Sequence, residues 1–275
     1  MKYEAIILKK EGSISTIIMN RPEVLNALNH TMWVEMEDAL RDLYEDDNTR
    51  VVIITGAGRA FSTGADFRYR DVRAGKFTDL KAQAEDQPVI KSGIQRGKFL
   101  TGLLPLLIQR LDKPTIAMVS GYCVGVGVDI ATACDIRIGT AETRFNVGFT
   151  RVGLSPDRGQ TWLLPRIIGL GKALEFIYAA DFWDGEEAYR VGLLNKLVPT
   201  QDLEKETIAL ATKIANGPPI AHRITKLQVY EGLNMSYEAA LALTSASVGV
   251  ALNTEDHSEG IRAVAEKRPP DFKGL

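Results

Sequence analysis

Cysteine and histidine are scarce in this sequence, and long hydrophobic runs are missing. Only two of its 275 residues are cysteines and three are histidines. Cys123 and Cys134 lie in apolar surroundings, which predicts small buried residues rather than a disulfide framework. The three histidines are far apart without metal-ligand spacing, so we expect no metal site. No stretch of about 18 apolar residues occurs, so we expect neither a membrane span nor secretion, and we predict a cytoplasmic location.

Strong charge of either sign is also absent. The formal net charge is −2 and the sequence pI is about 6.0, which gives no reason to expect a nucleic-acid partner. With 45% hydrophobic and 25% charged residues, the composition is that of an ordinary globular protein.

Two common catalytic motifs are not present. Gly56-Ala57-Gly58 follows a predicted strand, but Phe61 stands where a dinucleotide-binding fingerprint requires a third glycine. Ser120 and Ser155 lack the context of a nucleophile elbow. Nucleotide binding and serine hydrolysis are therefore not favoured.

The hydrophobic pattern predicts an α/β protein. It indicates a hairpin from segments 5–8 and 13–19, doubly buried strands at 51–55 and 115–119, a strand at 135–139, and helices at 95–111, 160–168 and 172–180. A further helix begins after Asn29, and its predicted apolar stripe contains Met32, Val34, Met36, Leu40 and Leu43. The polar stretch 67–93 predicts a mobile surface segment. Residues beyond 200 are almost entirely helix-forming, so we divide the chain into a 1–200 core and a 201–275 helical region.

Two glycine-rich turns follow the predicted strands, and each is expected to lead into a helix. They are Gly64-Ala65-Asp66 and Gly125-Val126-Gly127. Backbone N–H groups aimed at one point stabilise a negative oxygen, so the turns indicate oxyanion chemistry.

Carboxylates lie near these turns. Asp129 is just inside the helix that begins at the second turn, and Asp157 lies in the turn Pro156-Asp157-Arg158-Gly159. Both are candidates for proton transfer in one site. Both also have a purely structural explanation: Asp129, like Asp66, suits a helix N-terminus, and Asp157 suits a turn or an N-cap.

Several separated motifs resemble the enoyl-CoA hydratase/isomerase (crotonase) superfamily in order and spacing. They are NRPEVLNAL at 20–28, AFSTGAD at 60–66, KPTIA at 113–117, SGYCVGVG at 120–127, CDIR at 134–137 and EKRPPDFKG at 266–274. The resemblance covers nearly the whole chain. It implies a spiral of ββα units, a helical C-terminal region that forms a homotrimer or a hexamer of two trimers, and an acyl-CoA substrate with no separate cofactor.

The resemblance also implies a set of site residues. The backbone N–H groups of Ala65 and Val126 are expected to form the oxyanion hole. The expected CoA-binding residues are Val24, Ala65 and Asp66, with Phe272 and Lys273 contributed by a neighbouring subunit. The acyl group is expected to meet the aromatic residues Phe67, Tyr69, Phe149 and Trp162.

The residues that stand at the family's acidic positions indicate the reaction type. A family hydratase is expected to hold water between two glutamates, but here the first position is Asp129 and the second is Phe149. Asp157 stands where isomerases of the family carry an acidic residue, so we expect a double-bond shift with Asp157 as the principal base and Asp129 as its partner. Hydration of an unusual, possibly cyclic, enoyl-CoA is the alternative, followed by thioester hydrolysis and by a non-catalytic binding protein on the same fold.

Overall fold

The computed structural model describes residues 3–66 and 103–275. The strands are β1 (Ile6–Glu11), β2 (Ile14–Met19), β3 (Val51–Gly56), β4 (Ala60–Ser62), β5 (Thr115–Val119), β6 (Tyr122–Val124), β7 (Ile136–Gly139), β8 (Arg144–Asn146), β9 (Trp183–Asp184) and β10 (Lys196–Leu197). The helices are α1 (His30–Glu45), α2 (Leu103–Arg110), α3 (Val126–Ala133), α4 (Gln160–Ile168), α5 (Leu170–Ala179), α6 (Gly185–Arg190), α7 (Leu203–Ala215), α8 (Pro219–Gly232), α9 (Tyr237–Leu252) and α10 (Glu255–Glu266).

The strands form two sheets, and from β3 to β8 successive strands belong alternately to one sheet and to the other. One has the order β1-β2-β3-β5-β7-β10 and the other has the order β4-β6-β8-β9. The hairpin of β1 and β2 is antiparallel, whereas β3, β5 and β7 are parallel neighbours, as are β4, β6 and β8. Each pass therefore adds one strand to each sheet before a helix follows, as in β5-β6-α3. The predicted α/β fold of ββα units is confirmed.

The larger sheet is buried on both faces. Val52 and Ile54 of β3 belong to the main core cluster, whereas Val51 and Ile53 belong to a second cluster that also contains Ala211 of α7. Such burial requires an apolar side chain at every strand position, which is the pattern read from segment 51–55.

Helix α1 begins where the sequence predicts but buries a different stripe. The Asn29 side chain accepts a hydrogen bond from Met32 N at 2.9 Å and caps the helix. Val34 is 49% exposed, so its predicted place in the stripe is wrong. Because Val34 is two residues from Met32, it points about 200° away from that side chain, and Ala39 completes the buried face instead.

The smaller sheet and the positions of the turns differ from the sequence interpretation. The Gly64 turn follows β4 rather than β3, and the Gly125 turn follows β6 rather than β5. Strands of three residues are too short to show the alternation by which strands are recognised. The segment 67–93, the first part of the predicted helix 95–111 and the helix predicted after Asp66 lie outside the described residues.

A carboxylate joins the C-terminal helices to the larger sheet. Asp135 Oδ2 accepts hydrogen bonds from Thr115 N at 2.7 Å and from Lys226 Nζ at 2.9 Å, and Oδ1 accepts one from Tyr230 Oη at 2.8 Å. Lys226 and Tyr230 belong to α8, so Asp135 fixes this helix against the start of β5 and β7. The division of the chain at residue 200 stays a prediction. Within 3–66 and 103–275, no helix is long and apolar enough to cross a membrane.

Candidate active site

The two glycine turns lie against each other at one edge of the smaller sheet. Strands β4 and β6 are parallel neighbours, so the turns that follow them leave the sheet at the same end. A Cβ atom on Gly64 would lie 2.8 Å from Val124 O and 3.2 Å from Val126 N. Gly64 also has φ +88°, a conformation that favours glycine. The turns therefore approach this closely only because position 64 has no side chain.

Each turn contains an amide N–H group without a hydrogen-bond acceptor among the described residues. Leu28 N donates to Gly64 O at 2.7 Å and Asp66 N donates to Leu28 O at 3.0 Å, so the Ala65 N–H is left out of this pairing. Val126 is the first residue of α3, where helical geometry provides no acceptor for the amide. Within the described ranges, neither the Ala65 nor the Val126 N–H donates a hydrogen bond.

Buried side chains hold the first turn. Asn26 Nδ2 donates to Ala57 O at 2.9 Å and to Ala60 O at 2.7 Å. Ser62 Oγ donates to Asn26 O at 2.8 Å and accepts from Gly64 N at 3.1 Å. Asn26 and Ser62 belong to the quoted motifs, but the sequence analysis gave them no role, because only the fold brings their segments together.

A glutamine holds the second turn. Gln160 Nε2 donates to Gly125 O at 2.7 Å, and Gln160 is completely buried at the start of α4. A glutamine at the start of a helix is ordinarily exposed, so the sequence carried no signal for it.

Asp129 is buried in a setting that favours its neutral form. It is fully buried, and within the described part of the chain neither of its carboxylate oxygens makes a hydrogen bond. The pKa of Asp129 is raised to about 8, mainly by burial and to a smaller extent by the charge of Asp157. The side-chain amide and backbone of Gln160, together with Arg158, act in the opposite direction. Asp129 therefore holds a proton at neutral pH.

Asp157 lies in a more open place. Its side chain is 47% exposed, and Arg158 Nε lies 3.3 Å from its Oδ1. Asp157 and Trp162 line a cavity of about 860 Å³ that is bounded by α2, α4 and α8. The lining includes Leu106 of α2 and Leu227 of α8. The structure thus places a carboxylate at the wall of a large, mainly apolar space.

The residues expected at the CoA end fall into two groups. Val24 lies in a 3₁₀ turn beside the Gly64 turn, since Thr63 N donates to Leu25 O at 3.1 Å. Asp66 is held by Arg21 through an Nη1 to Oδ2 distance of 3.0 Å. Val24, Ala65 and Asp66 are therefore neighbours.

The two tail residues are not part of that group in the same chain. Phe272 O accepts from Arg50 Nη2 at 3.0 Å, and Lys273 N donates to Asp256 Oδ1. Arg50 precedes β3, whereas the Gly64 turn lies beyond the other end of that strand, about 20 Å away for six extended residues. Phe272 and Lys273 are thus remote from the turns of their own chain.

The expected acyl-pocket residues are described only in part. Phe149 and Trp162 are partly buried against the main core cluster, which contains Val126. Phe67 and Tyr69 lie outside the described residues.

Comparisons with known proteins match nearly the whole chain to proteins of one family. The family model described as Enoyl-CoA hydratase/isomerase matches residues 9–275. Crotonyl-CoA hydratase of Syntrophomonas wolfei is 32% identical over 274 residues, covering 99% of both chains. The 1,2-epoxyphenylacetyl-CoA isomerase of Escherichia coli is 30% identical, covering 98% of this chain and 99% of the relative. The crystal structure of an enoyl-CoA hydratase from Bacillus anthracis has a TM-score of 0.88 and 31% identity, covering 99% of this chain and 100% of that structure.

We predict that Gly127→Ala separates the two turns. A Cβ atom at Gly127 would lie 2.6 Å from Ser62 O, so α3 must move away from β4. We expect a loss of about 1–3 kcal/mol in the free energy of unfolding from this overpacking, and a larger relative loss of turnover than of stability. Urea unfolding and turnover with an acyl-CoA substrate measure the two effects.

Gly171→Ala is the matched control for this change. Gly171 is also the second residue of a helix, but a Cβ atom there would meet nothing within 4 Å. Alanine should stabilise α5 by up to about 1 kcal/mol and leave turnover unchanged. Equal effects of the two substitutions would contradict the close contact between α3 and β4.

We predict that Asp129→Asn changes how stability depends on pH. Between pH 3.8 and about 8 the folded protein keeps a proton on Asp129 that the unfolded chain has released. The wild type should therefore lose stability relative to the variant as pH rises through this window, since the amide does not titrate. Urea unfolding at several pH values tests this, with the exposed Asp181→Asn as control. Parallel curves for wild type and Asp129→Asn would show that Asp129 is ionised in the folded protein.

Proposed function

The chain belongs to the enoyl-CoA hydratase/isomerase family, and from this premise we propose that it shifts a carbon–carbon double bond in an unsaturated acyl-CoA. The observation that carries the proposal is the pairing of a buried, protonated Asp129 with a half-exposed Asp157 whose charge acts on it, where Asp129 lies three residues beyond the unpaired Val126 N–H. No cofactor is required beyond the CoA carried by the substrate.

The amides of Ala65 and Val126 are proposed to bind the thioester oxygen. Removing a proton next to a double bond delocalises negative charge onto that oxygen, and two fixed N–H donors stabilise the charge without reorganisation. Each such donor typically contributes about 100- to 1000-fold in turnover. Val24, Ala65 and Asp66 border the same turn and are proposed to contact CoA, and the acyl group is proposed to enter the cavity that Asp157 and Trp162 line.

The two carboxyl groups divide the proton transfers. Asp157 takes a proton from one carbon, and its electron pair moves through the double bond to the thioester oxygen as an enolate. Asp129 then gives its proton to a different carbon, the enolate returns to a thioester, and the double bond has moved. The pKa of about 8 makes Asp129 a proton donor at neutral pH, and the cycle closes when the proton held by Asp157 is passed back to Asp129 before the next turnover.

Phe149 is the feature that separates this proposal from hydration. By the resemblance to the family, it stands where a hydratase has the second glutamate that holds the attacking water. A phenyl ring neither accepts that hydrogen bond nor moves a proton. The names of relatives include two isomerases, 1,2-epoxyphenylacetyl-CoA isomerase and trans-2-decenoyl-[acyl-carrier-protein] isomerase, which is 29% identical.

Hydration is the second candidate, because several relatives are named hydratases. In that reaction, Asp129 and Asp157 would hold the water between them.

We predict that Asp157→Asn lowers isomerase turnover about 100- to 10,000-fold, because the amide cannot accept the proton. A panel of straight-chain and cyclic unsaturated acyl-CoA esters, followed by mass spectrometry, identifies the product. An isomerised product keeps the mass of the substrate, whereas a hydrated product gains one water. Asp181→Asn should keep full turnover. Full turnover of a correctly folded Asp157→Asn would remove Asp157 as the base.

We further propose that the chain acts as a homotrimer or a hexamer. Helix α9 has no buried residue although it is rich in apolar side chains, including Leu241, Val248 and Val250. Phe272 and Lys273 are remote from the turns of their own chain, and we propose that they contact the CoA bound by a neighbouring copy.

We predict that Leu241→Glu dissociates this assembly, because it places a charge in an apolar interface. Light scattering after gel filtration should give three or six times 30.2 kDa for the wild type and a smaller mass for the variant. Val34→Glu is the matched control, since Val34 on α1 is 49% exposed and Leu241 is 51% exposed. A wild-type monomer, or dissociation by both variants, would contradict an interface on α9.

A further inference from the structure

The peptide group between Gly125 and Val126 has a carbonyl that accepts a hydrogen bond from Gln160 and an N–H group without an acceptor among the described residues. The carbonyl of Gly125 accepts hydrogen bonds from Gln160 Nε2 at 2.7 Å, Val128 N at 2.9 Å and Asp129 N at 3.3 Å. Its other end is the Val126 N–H, which has no acceptor within the described ranges. Gln160 therefore acts on the same rigid plane that contains the proposed oxyanion donor.

The geometry of the peptide bond transmits this contact. In a trans peptide the C=O and N–H bonds point in opposite directions in one plane. Fixing the direction of the Gly125 carbonyl thus fixes the direction of the Val126 N–H. A donor on the carbonyl also polarises the amide, so that its N–H becomes a stronger donor by roughly 10–30% in condensed-phase estimates.

The rest of the Gln160 side chain faces Asp129. Gln160 Oε1 is buried without a hydrogen-bond partner within the described residues, as are both Asp129 oxygens. Gln160 lies close enough to Asp129 to lower the pKa of the carboxyl group, although the contact falls short of hydrogen-bond geometry. Gln160 Oε1 is an acceptor without a donor partner, and a protonated Asp129 carries an O–H group that can donate.

The other charged or titratable groups that face Asp129 are Asp157 and Arg158 from the turn before α4, and the buried Cys123 of β6. Arg158 and Asp157 already lie beside each other, so neither replaces Gln160 at the Gly125 carbonyl.

We propose that Gln160 is a positioning residue for the reaction: its buried side-chain amide links Asp129 to the Gly125 carbonyl and so aims and strengthens the Val126 N–H that binds the thioester oxygen. The inference rests on the proposed oxyanion role of Val126, but it holds for isomerisation and hydration alike. It assigns to α4 a function in charge stabilisation, whereas the proposed proton transfers use Asp157 in the turn before α4 and Asp129 of α3.

Gln160→Met is the main test, because methionine has a similar length but neither the donor nor the acceptor. We expect kcat to fall at least about 10-fold with KM changed less than about threefold, since the oxyanion donor contributes mainly in the transition state. Gln228→Met is the matched control. It removes another side-chain amide, which donates to Ser247 Oγ at 2.7 Å between α8 and α9, and it should leave kcat unchanged.

A spectroscopic measurement separates positioning from a general loss of structure. The infrared band of an isotopically labelled thioester carbonyl in bound butyryl-CoA reports the hydrogen bonds to its oxygen without any reaction. In Gln160→Met the band should shift toward its position in free butyryl-CoA. In Gln228→Met it should stay where it is in the wild type.

Gln160→Glu provides rescue that depends on protonation. Its carboxyl group donates to Gly125 O only when protonated, so kcat relative to the wild type should rise as pH falls. This arm also covers the case in which Gln160→Met does not fold.

The outcomes distinguish this inference from the proposed function. The role of Gln160 would be overturned if the Gln160→Met variant kept both the carbonyl band and the kcat of the wild type. It would also be overturned if kcat fell while the carbonyl band stayed at its wild-type position. A shifted band in an enzyme whose product has gained water would support Gln160 and refute isomerisation.

Discussion

The close contact between the ends of β4 and β6 is the constraint on which the site depends. Two turns that leave neighbouring parallel strands can meet because Gly64 has no side chain. A Cβ atom at this position would collide with Val124 and Val126. The alternation of the chain between two sheets makes these strands neighbours, although their residues are about sixty apart in sequence. The fold thus brings together the two turns that carry the Ala65 and Val126 amides, the pair proposed to bind the thioester oxygen.

Asp129 shows the cost of placing a titratable group beside those amides. A buried carboxyl group without hydrogen-bond partners is destabilising when it is charged, and the protein responds by keeping it protonated. The side chain of Asp157, in contrast, is 47% exposed. The proposed division into a proton donor and a proton acceptor therefore rests on the difference in burial between two residues of the same type.

The sequence predicted the long elements well because each carries many apolar positions. Segments 51–55 and 115–119 are strands, and the predicted helix 160–168 has the observed bounds. The short strands β4, β6 and β8 were missed, since three residues carry no periodicity. Asp129 and Asp157 were selected from their place near the glycine turns, but Gln160 was not, because its burial and its partner 35 residues away are products of the fold.

Asp135 also supports one wall of the cavity proposed for the acyl group. It binds Lys226 and Tyr230 of α8, and both of these residues line the cavity. The α8 wall of the cavity proposed for the acyl group is therefore anchored in the larger sheet, whereas the Gly64 and Gly125 turns leave the smaller one. The shape of that cavity can thus change through α8 while the two turns stay in place.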